Sequence, residues 1–226
     1  MKFIKQNTSL LLSTIILLST LLPLGFSIWK ILDHQCFFFF NKLFQNNLTM
    51  QKIVSIMNSR WGDWIFESII IFIYLTFSFL KKDCKFLKNL LILILCIATS
   101  QILTNIIFRK FIVLRNLSPS YVLPVFIDYS TFDFIRNVTQ STRSFPANHA
   151  ITSFLCILFS WKHLKGPYAL FITLFSCIAM MPRLIVGGHW LSDVMFGALP
   201  IASIIFSIYN LLNLKIKSVK LETVND

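Results

Sequence analysis

The chain has 226 residues, of which 56% are hydrophobic, 24 are phenylalanine and only 13% are charged, and its mean hydropathy is +0.72. These proportions exclude an ordinary water-soluble domain. The formal net charge of +12 does not point to nucleic acid, because much of it is a lysine excess of the kind that membrane proteins keep on one face.

Apolar runs recur at lengths that cross most or all of a hydrocarbon core of about 30 Å, so residues 1–226 read as one all-α integral membrane domain with six transmembrane helices. The first, Leu10 to Trp29, follows Lys2 and Lys5 as in a signal peptide, but its apolar core is too long and no small-residue cleavage site follows, which makes it an anchor. From Lys30 to Asp63, Phe37, Phe38, Phe39, Phe40, Phe44 and Trp61 are set among polar residues, the pattern of one or two interfacial helices. That stretch serves either as an anchor or as one wall of a lipid-entry groove. The remaining spans are Trp64 to Leu80, Leu90 to Phe108, Pro146 to Trp161, Pro167 to Pro182 and Asp193 to Leu212. The fourth and fifth are so short, ~24 Å as helix, that their outer ends should sit recessed in the bilayer.

An even number of spans places both termini on one side. Lys2 and Lys5, the cluster Lys81, Lys82, Lys85 and Lys88, Lys162 and Lys165, and Lys215, Lys217 and Lys220 all fall there. Such a lysine bias marks the cytoplasm. Every arginine, Arg60, Arg109, Arg115, Arg136, Arg143 and Arg183, falls on the other side. A planar, permanently charged guanidinium suits bidentate phosphate binding; attraction to anionic headgroups in general is the alternative. Asp63 and Glu67 share a helix face at the outer end of the second span. A carboxylate inside the bilayer is expensive, so Glu67 faces a cation, water or substrate. The five cysteines are scattered, with neither a disulfide pair nor metal-ligand spacing.

The chemistry concentrates on the outer side. In Arg183-Leu-Ile-Val-Gly-Gly-His189-Trp-Leu-Ser-Asp193, Arg183 ends one helix, Gly187 and Gly188 permit a sharp turn, and His189 and Asp193 stand four apart as the next helix begins. That spacing places both on one face. A carboxylate one turn away can take the proton of one imidazole nitrogen and leave the other free to attack phosphorus. In Arg143-Ser144-Phe145-Pro146-Ala147-Asn148-His149, Pro146 suits the first helical position, and Ser144 with the free amides after it makes an anion cradle at a positive helix end. His149, one turn in, is placed to give a proton to a leaving oxygen.

Arg183, His189 and Asp193 as R-x5-H-x3-D, with Ser144 to His149 as S-F-P-x-x-H, resemble the type 2 phosphatidic acid phosphatase superfamily, and within it a bacterial inner-membrane phosphotransferase type. The likeness extends to Phe39-Phe40-Asn41-Lys42, to Asn58-Ser59-Arg60 with Asp63, and to Arg115 with Ser118-Pro119. It implies a phosphohistidine mechanism without metal or cofactor, with His189 as nucleophile, Asp193 as its orienter, His149 as leaving-group acid, and Arg183 and Ser144 as phosphate ligands. It also implies a periplasmic site and lipid phosphates as substrates: transfer from undecaprenyl diphosphate, a polyprenyl diphosphate, to lipid A 1-phosphate, or else hydrolysis of undecaprenyl diphosphate or another lipid phosphate. A lipid transporter would instead spread charged residues through the depth of several spans.

The chain departs from the superfamily pattern twice. The first motif, a Lys and six residues later Arg-Pro, is broken: counted from Lys110, those positions hold Leu117 and Ser118. Arg115 is then the expected phosphate contact, with Lys110 second. The second motif has Pro-Ala-Asn-His in place of Pro-Ser-Gly-His, so Ser144 or Asn148 must supply the missing donor. Arg143 joins this basic outer loop. With Arg109 and Arg136 it holds more cations than one diphosphate needs, which fits two anionic headgroups side by side or ion pairs with Asp128 and Asp133.

Overall fold

The computed structural model describes residues 2–21, 23–111, 117–129, 142, 144–164 and 166–225. Among them all regular structure is helical. Helix α1 (Lys2–Leu21) is followed at once by α2 (Pro23–Lys42). The described residues of the expected span from Leu10 to Trp29 lie in α1 and α2, and Leu22 between them is outside the described residues. The short α3 (Leu48–Met57) begins where the Asn47 side chain accepts from the Met50 N–H. Next come α4 (Arg60–Lys81) and α5 (Lys85–Thr104), the latter continued by a π-helical turn, Asn105–Phe111. The one-turn α6 (Pro119–Val122) precedes α7 (Asn148–His163) and α8 (Gly166–Ile185). A π-wound segment, Asp193–Ala198, then leads into α9 (Leu199–Asn225).

Two helix ends differ from expectation. The first helical bond of α7 runs from Ile151 N–H to Ala147 O, so Pro146 belongs to the preceding turn and not to the helix. At the other end, α8 passes through Pro182, and Val186 N–H still reaches Pro182 O at 3.0 Å. A proline removes the bond of its own missing N–H, not those made to its carbonyl. With 20 residues α8 reaches ~30 Å. Of the two helices expected to be short, only α7 is, at 16 residues.

Four stretches are long and apolar enough to cross a membrane: Arg60–Lys81, Lys85–Phe108, Gly166–Ile185 and Asp193–Leu214. The apolar part of α1, Thr8–Ser19, is shorter. At the centre, α7 packs against α5, α8 and α9, while α1 lies along α9 and α4 against α5 and α8. The period of the helix decides which residues turn inward. On α7, Ile151, Leu155 and Phe159, four apart, are fully buried. On α4, Phe66, Ile70, Tyr74 and Phe77 are buried, whereas Phe72 and Phe79 are 69% and 82% exposed. Outward surfaces this apolar are covered by lipid rather than water. Lipid tails are themselves apolar, so association of the helices depends on close packing more than on leaving water. Ala150, Ala169, Ala198 and Ala202, all fully buried, let the backbones approach.

Candidate active site

The last turn of α8 carries Arg183, and the chain then reverses. Gly188 and His189 donate their N–H groups to Arg183 O at 2.9 and 3.3 Å. Gly187 adopts φ +74°, in the left-handed region, and a Cβ there would meet the Phe37 ring at 2.6 Å. Glycine is needed at 187 on both counts. The turn is pinned from outside: Ser120 donates its N–H and its hydroxyl to Gly187 O at 3.0 and 2.9 Å, and Trp190 Nε1 donates to Leu117 O at 2.7 Å.

The next helix opens at Leu191, so His189 stands before it, not on its face as the spacing alone suggested. Asp193, fully buried, reaches back so that Oδ2 accepts the Trp190 N–H at 3.0 Å. That is the carboxylate half of a capping box. The same oxygen lies 3.8 Å from His189 Nδ1, beyond hydrogen-bond length. The atom that Nδ1 does meet is the carbonyl oxygen of Ser144, at 2.6 Å. A carbonyl only accepts, so Nδ1 carries the proton and Nε2 keeps its lone pair.

Ser144 is brought there by the turn ahead of α7. Phe145 is buried, edge-on to Phe108 with ring centroids 5.6 Å apart, and its ring occupies the space that a side chain at Gly197 would need. The Ser144 hydroxyl is itself buried without a partner among the described residues. On the first turn of α7, Asn148 Oδ1 accepts from Thr104 Oγ1 at 3.1 Å, and its backbone oxygen accepts from Gln101 Nε2 at 3.2 Å. These bonds tie the start of α7 to α5. His149 follows, with its ring centroid 4.9 Å from that of His189. His149 Nε2 is buried and has no partner among the described residues.

Both imidazoles and Arg183 open on one cavity of ≈ 510 Å³, which Asn148, Arg60, Asp63 and Glu67 also line. Phe66 and Phe175 make part of its apolar wall. Arg183 Nη2 donates to Asp63 Oδ2 at 2.9 Å, and the Arg183 side chain is only 11% exposed. A phosphate arriving in the cavity would share that guanidinium with Asp63. Ser144 and Asp193 do not line the cavity, and both stand beside Nδ1 of His189. Arg115 and Arg143 lie outside the described residues; so does the Lys110 side chain, although its backbone belongs to the π-helical turn after α5.

Reading the sequence missed the part played by α2. Asp33, Phe37 and Asn41, four apart and all buried, form its inner stripe. Asn41 Nδ2 donates to Ile185 O at 3.1 Å, and Oδ1 accepts from the Phe126 and Ile127 N–H groups at 2.8 and 3.3 Å. The available signal was polar residues at helical spacing inside an aromatic run.

A bundle with a lipid-facing exterior, and two touching imidazoles beside guanidinium groups within it, suits chemistry on the phosphates of lipids, and the class is that of a lipid phosphatase or phosphotransferase. Residues 89–217 match the PAP2 superfamily, and the chain belongs to that superfamily. That match takes in both histidine motifs and leaves out α1 to α4. The chain is also 22% identical, over 185 residues, to lipid A 1-diphosphate synthase of Escherichia coli (strain K12), covering 81% of this chain and 77% of that protein. No solved structure gives a significant match.

Proposed function

We propose that this enzyme moves a phosphoryl group between lipids through a phosphohistidine at His189, from undecaprenyl diphosphate to lipid A 1-phosphate. The observation that carries the reading is the pairing of His189 Nδ1 with the Ser144 carbonyl at 2.6 Å, in a ring whose centroid lies 4.9 Å from that of His149. It leaves Nε2 as the attacking atom.

In the first step His189 Nε2 attacks the terminal phosphorus, the P–O bond to undecaprenyl phosphate breaks, and the leaving oxygen takes a proton from His149. In the second step an oxygen of lipid A 1-phosphate attacks the same phosphorus and the P–N bond breaks. His189 recovers its lone pair. Asp193, 3.8 Å from Nδ1, stabilises the positive charge on the ring through space and holds the loop by its bond to Trp190 N–H. Arg183 and Asn148, which line the cavity, bind the phosphates together with Arg115, Lys110 and Arg143, while Ser144, expected as a phosphate ligand, holds the His189 ring through its carbonyl.

We read six spans, α1, α4, α5, α7, α8 and the helix from Asp193, in a bacterial inner membrane with cytoplasmic termini. Asp63 stands in the first turn of α4 and Lys81 in its last, which supports a site at the end opposite the lysine-rich loop. The 16 residues of α7 reach ~24 Å of a core near 30 Å, so His149 sits below the headgroups where lipid phosphates enter sideways.

Hydrolysis is the second reading, favoured by a cavity with room for water beside a bound phosphate. Purified enzyme given undecaprenyl diphosphate and lipid A should yield lipid A with one added phosphate, at the expense of inorganic phosphate. Release of inorganic phosphate that lipid A leaves unchanged, with no new lipid A species by mass spectrometry, replaces the transferase reading with the hydrolase.

A further inference from the structure

We propose that Asp33, on α2 and outside both histidine motifs, is a positioning residue: it holds the start of the helix after His189 and thereby sets where the His189 ring and the Asp193 carboxylate stand. The inference rests on His189 as the nucleophile.

The first N–H groups of a helix find no partner inside it. At the helix that opens at Leu191, Asp193 satisfies Trp190 N–H from within the motif. The Ser192 N–H is satisfied from another helix. Asp33 Oδ1 accepts it at 2.8 Å, and Oδ2 accepts the Ser192 hydroxyl at 2.5 Å. An ordinary N-cap side chain belongs to the residue just before its helix. Asp33 does the same work from 159 residues away. Two carboxylates thus close one positive helix end, one from the His189 loop and one from α2.

The neighbouring contacts show that α2 runs alongside the whole motif in the opposite direction. Asp33 holds Ser192, His34 stacks on Trp190 with ring centroids 5.5 Å apart, Phe37 fills the space beside Gly187, and Asn41 holds Ile185 O. Asp33 grips the residue next to Asp193 and three from His189. It is 8% exposed, so water does not replace its bonds when they are lost. A displacement of ~1 Å at a reacting atom costs up to ~100-fold in rate.

The test is a single turnover, with purified full-length enzyme in excess over radiophosphate-labelled undecaprenyl diphosphate. Asp33→Ala should lower the rate constant of donor consumption by ~10- to 100-fold with the amplitude kept, and the steady-state KM should stay within about threefold. Asp33→Asn, which retains one acceptor oxygen, should fall between it and the wild type. The proposal is overturned if both variants keep the wild-type rate constant. It is equally overturned if the amplitude falls while the rate constant holds, since that reports a misfolded fraction and nothing about positioning. Acid-labile phosphoenzyme is measured in the same samples. Its absence in the wild type defeats the His189 reading itself, an outcome distinct from a wild type and Asp33 variants that all form it equally fast.

Discussion

At His189 two acceptors compete for one proton, and the carbonyl of Ser144 at 2.6 Å wins over the carboxylate of Asp193 at 3.8 Å. Replacing His189 with alanine removes the attacking atom, so turnover and acid-labile phosphoenzyme should both vanish; wild-type activity in that variant would sink the mechanism. His149→Ala should slow leaving-group departure by ~100-fold or more, the usual scale for a lost general acid. Single-turnover kinetics with an activated leaving group should largely restore it. Asp33 adds a dependence on pH. Burial pushes its carboxyl up to about 6, against the two Ser192 bonds that pull it down, and the Asp193 charge adds to the rise. An unfolded Asp titrates near 3.9, so the folded chain holds this proton more tightly; that stabilisation is complete below about pH 4 and is lost as pH rises through about 6. The melting temperature of the wild type relative to Asp33→Asn should therefore rise as pH is lowered from about 7 to about 5. A difference that stays flat, or that falls, contradicts the assignment.

Among the elements, α2 and the α8 turn depend on each other. Gly187→Ala places a Cβ at φ +74° and within 2.6 Å of the Phe37 ring, so α2 must move off the motif. Loss of thermal stability by ~1 kcal/mol or more, and of activity with it, is the expected outcome. Asn41→Leu keeps the branched outline and the number of heavy atoms but leaves Ile185 O and the Phe126 and Ile127 N–H groups without their partner. At a fully buried position that should cost ~1 to 3 kcal/mol per stranded group, read from thermal unfolding in detergent. Melting temperatures equal to the wild type would mean that α2 is only an anchor.

For the whole molecule, the six-span reading assigns the two ends of α4 to opposite sides of the membrane. Cys84 is exposed between α4 and α5, and Trp61 is 58% exposed at the other end of α4. In protein with its other cysteines replaced by serine, a membrane-impermeant maleimide should label Cys84 only after the membrane is opened. In protein that also lacks Cys84, Trp61→Cys should be labelled from the periplasm in intact spheroplasts. Labelling of both from one side would rule out the topology and with it the periplasmic site.

Composition and apolar run length are local properties, and they suffice for the helical membrane class and for the lysine-rich end of α4 and α5; the two histidine motifs are legible from residue spacing and from the family resemblance. Helix ends are less legible. Pro146 and Pro182 look alike in sequence, yet one precedes its helix and the other lies within one, because a proline tolerates either position once its neighbours hold it. Which atoms meet was decided by packing alone. The bonds from His189 to Ser144, from Arg183 to Asp63 and from Ser192 to Asp33 span 45, 120 and 159 residues. No periodicity reaches across such distances. They exist because α2, α4 and α7 come together around the end of α8, where a buried donor must find an acceptor from whichever helix lies beside it.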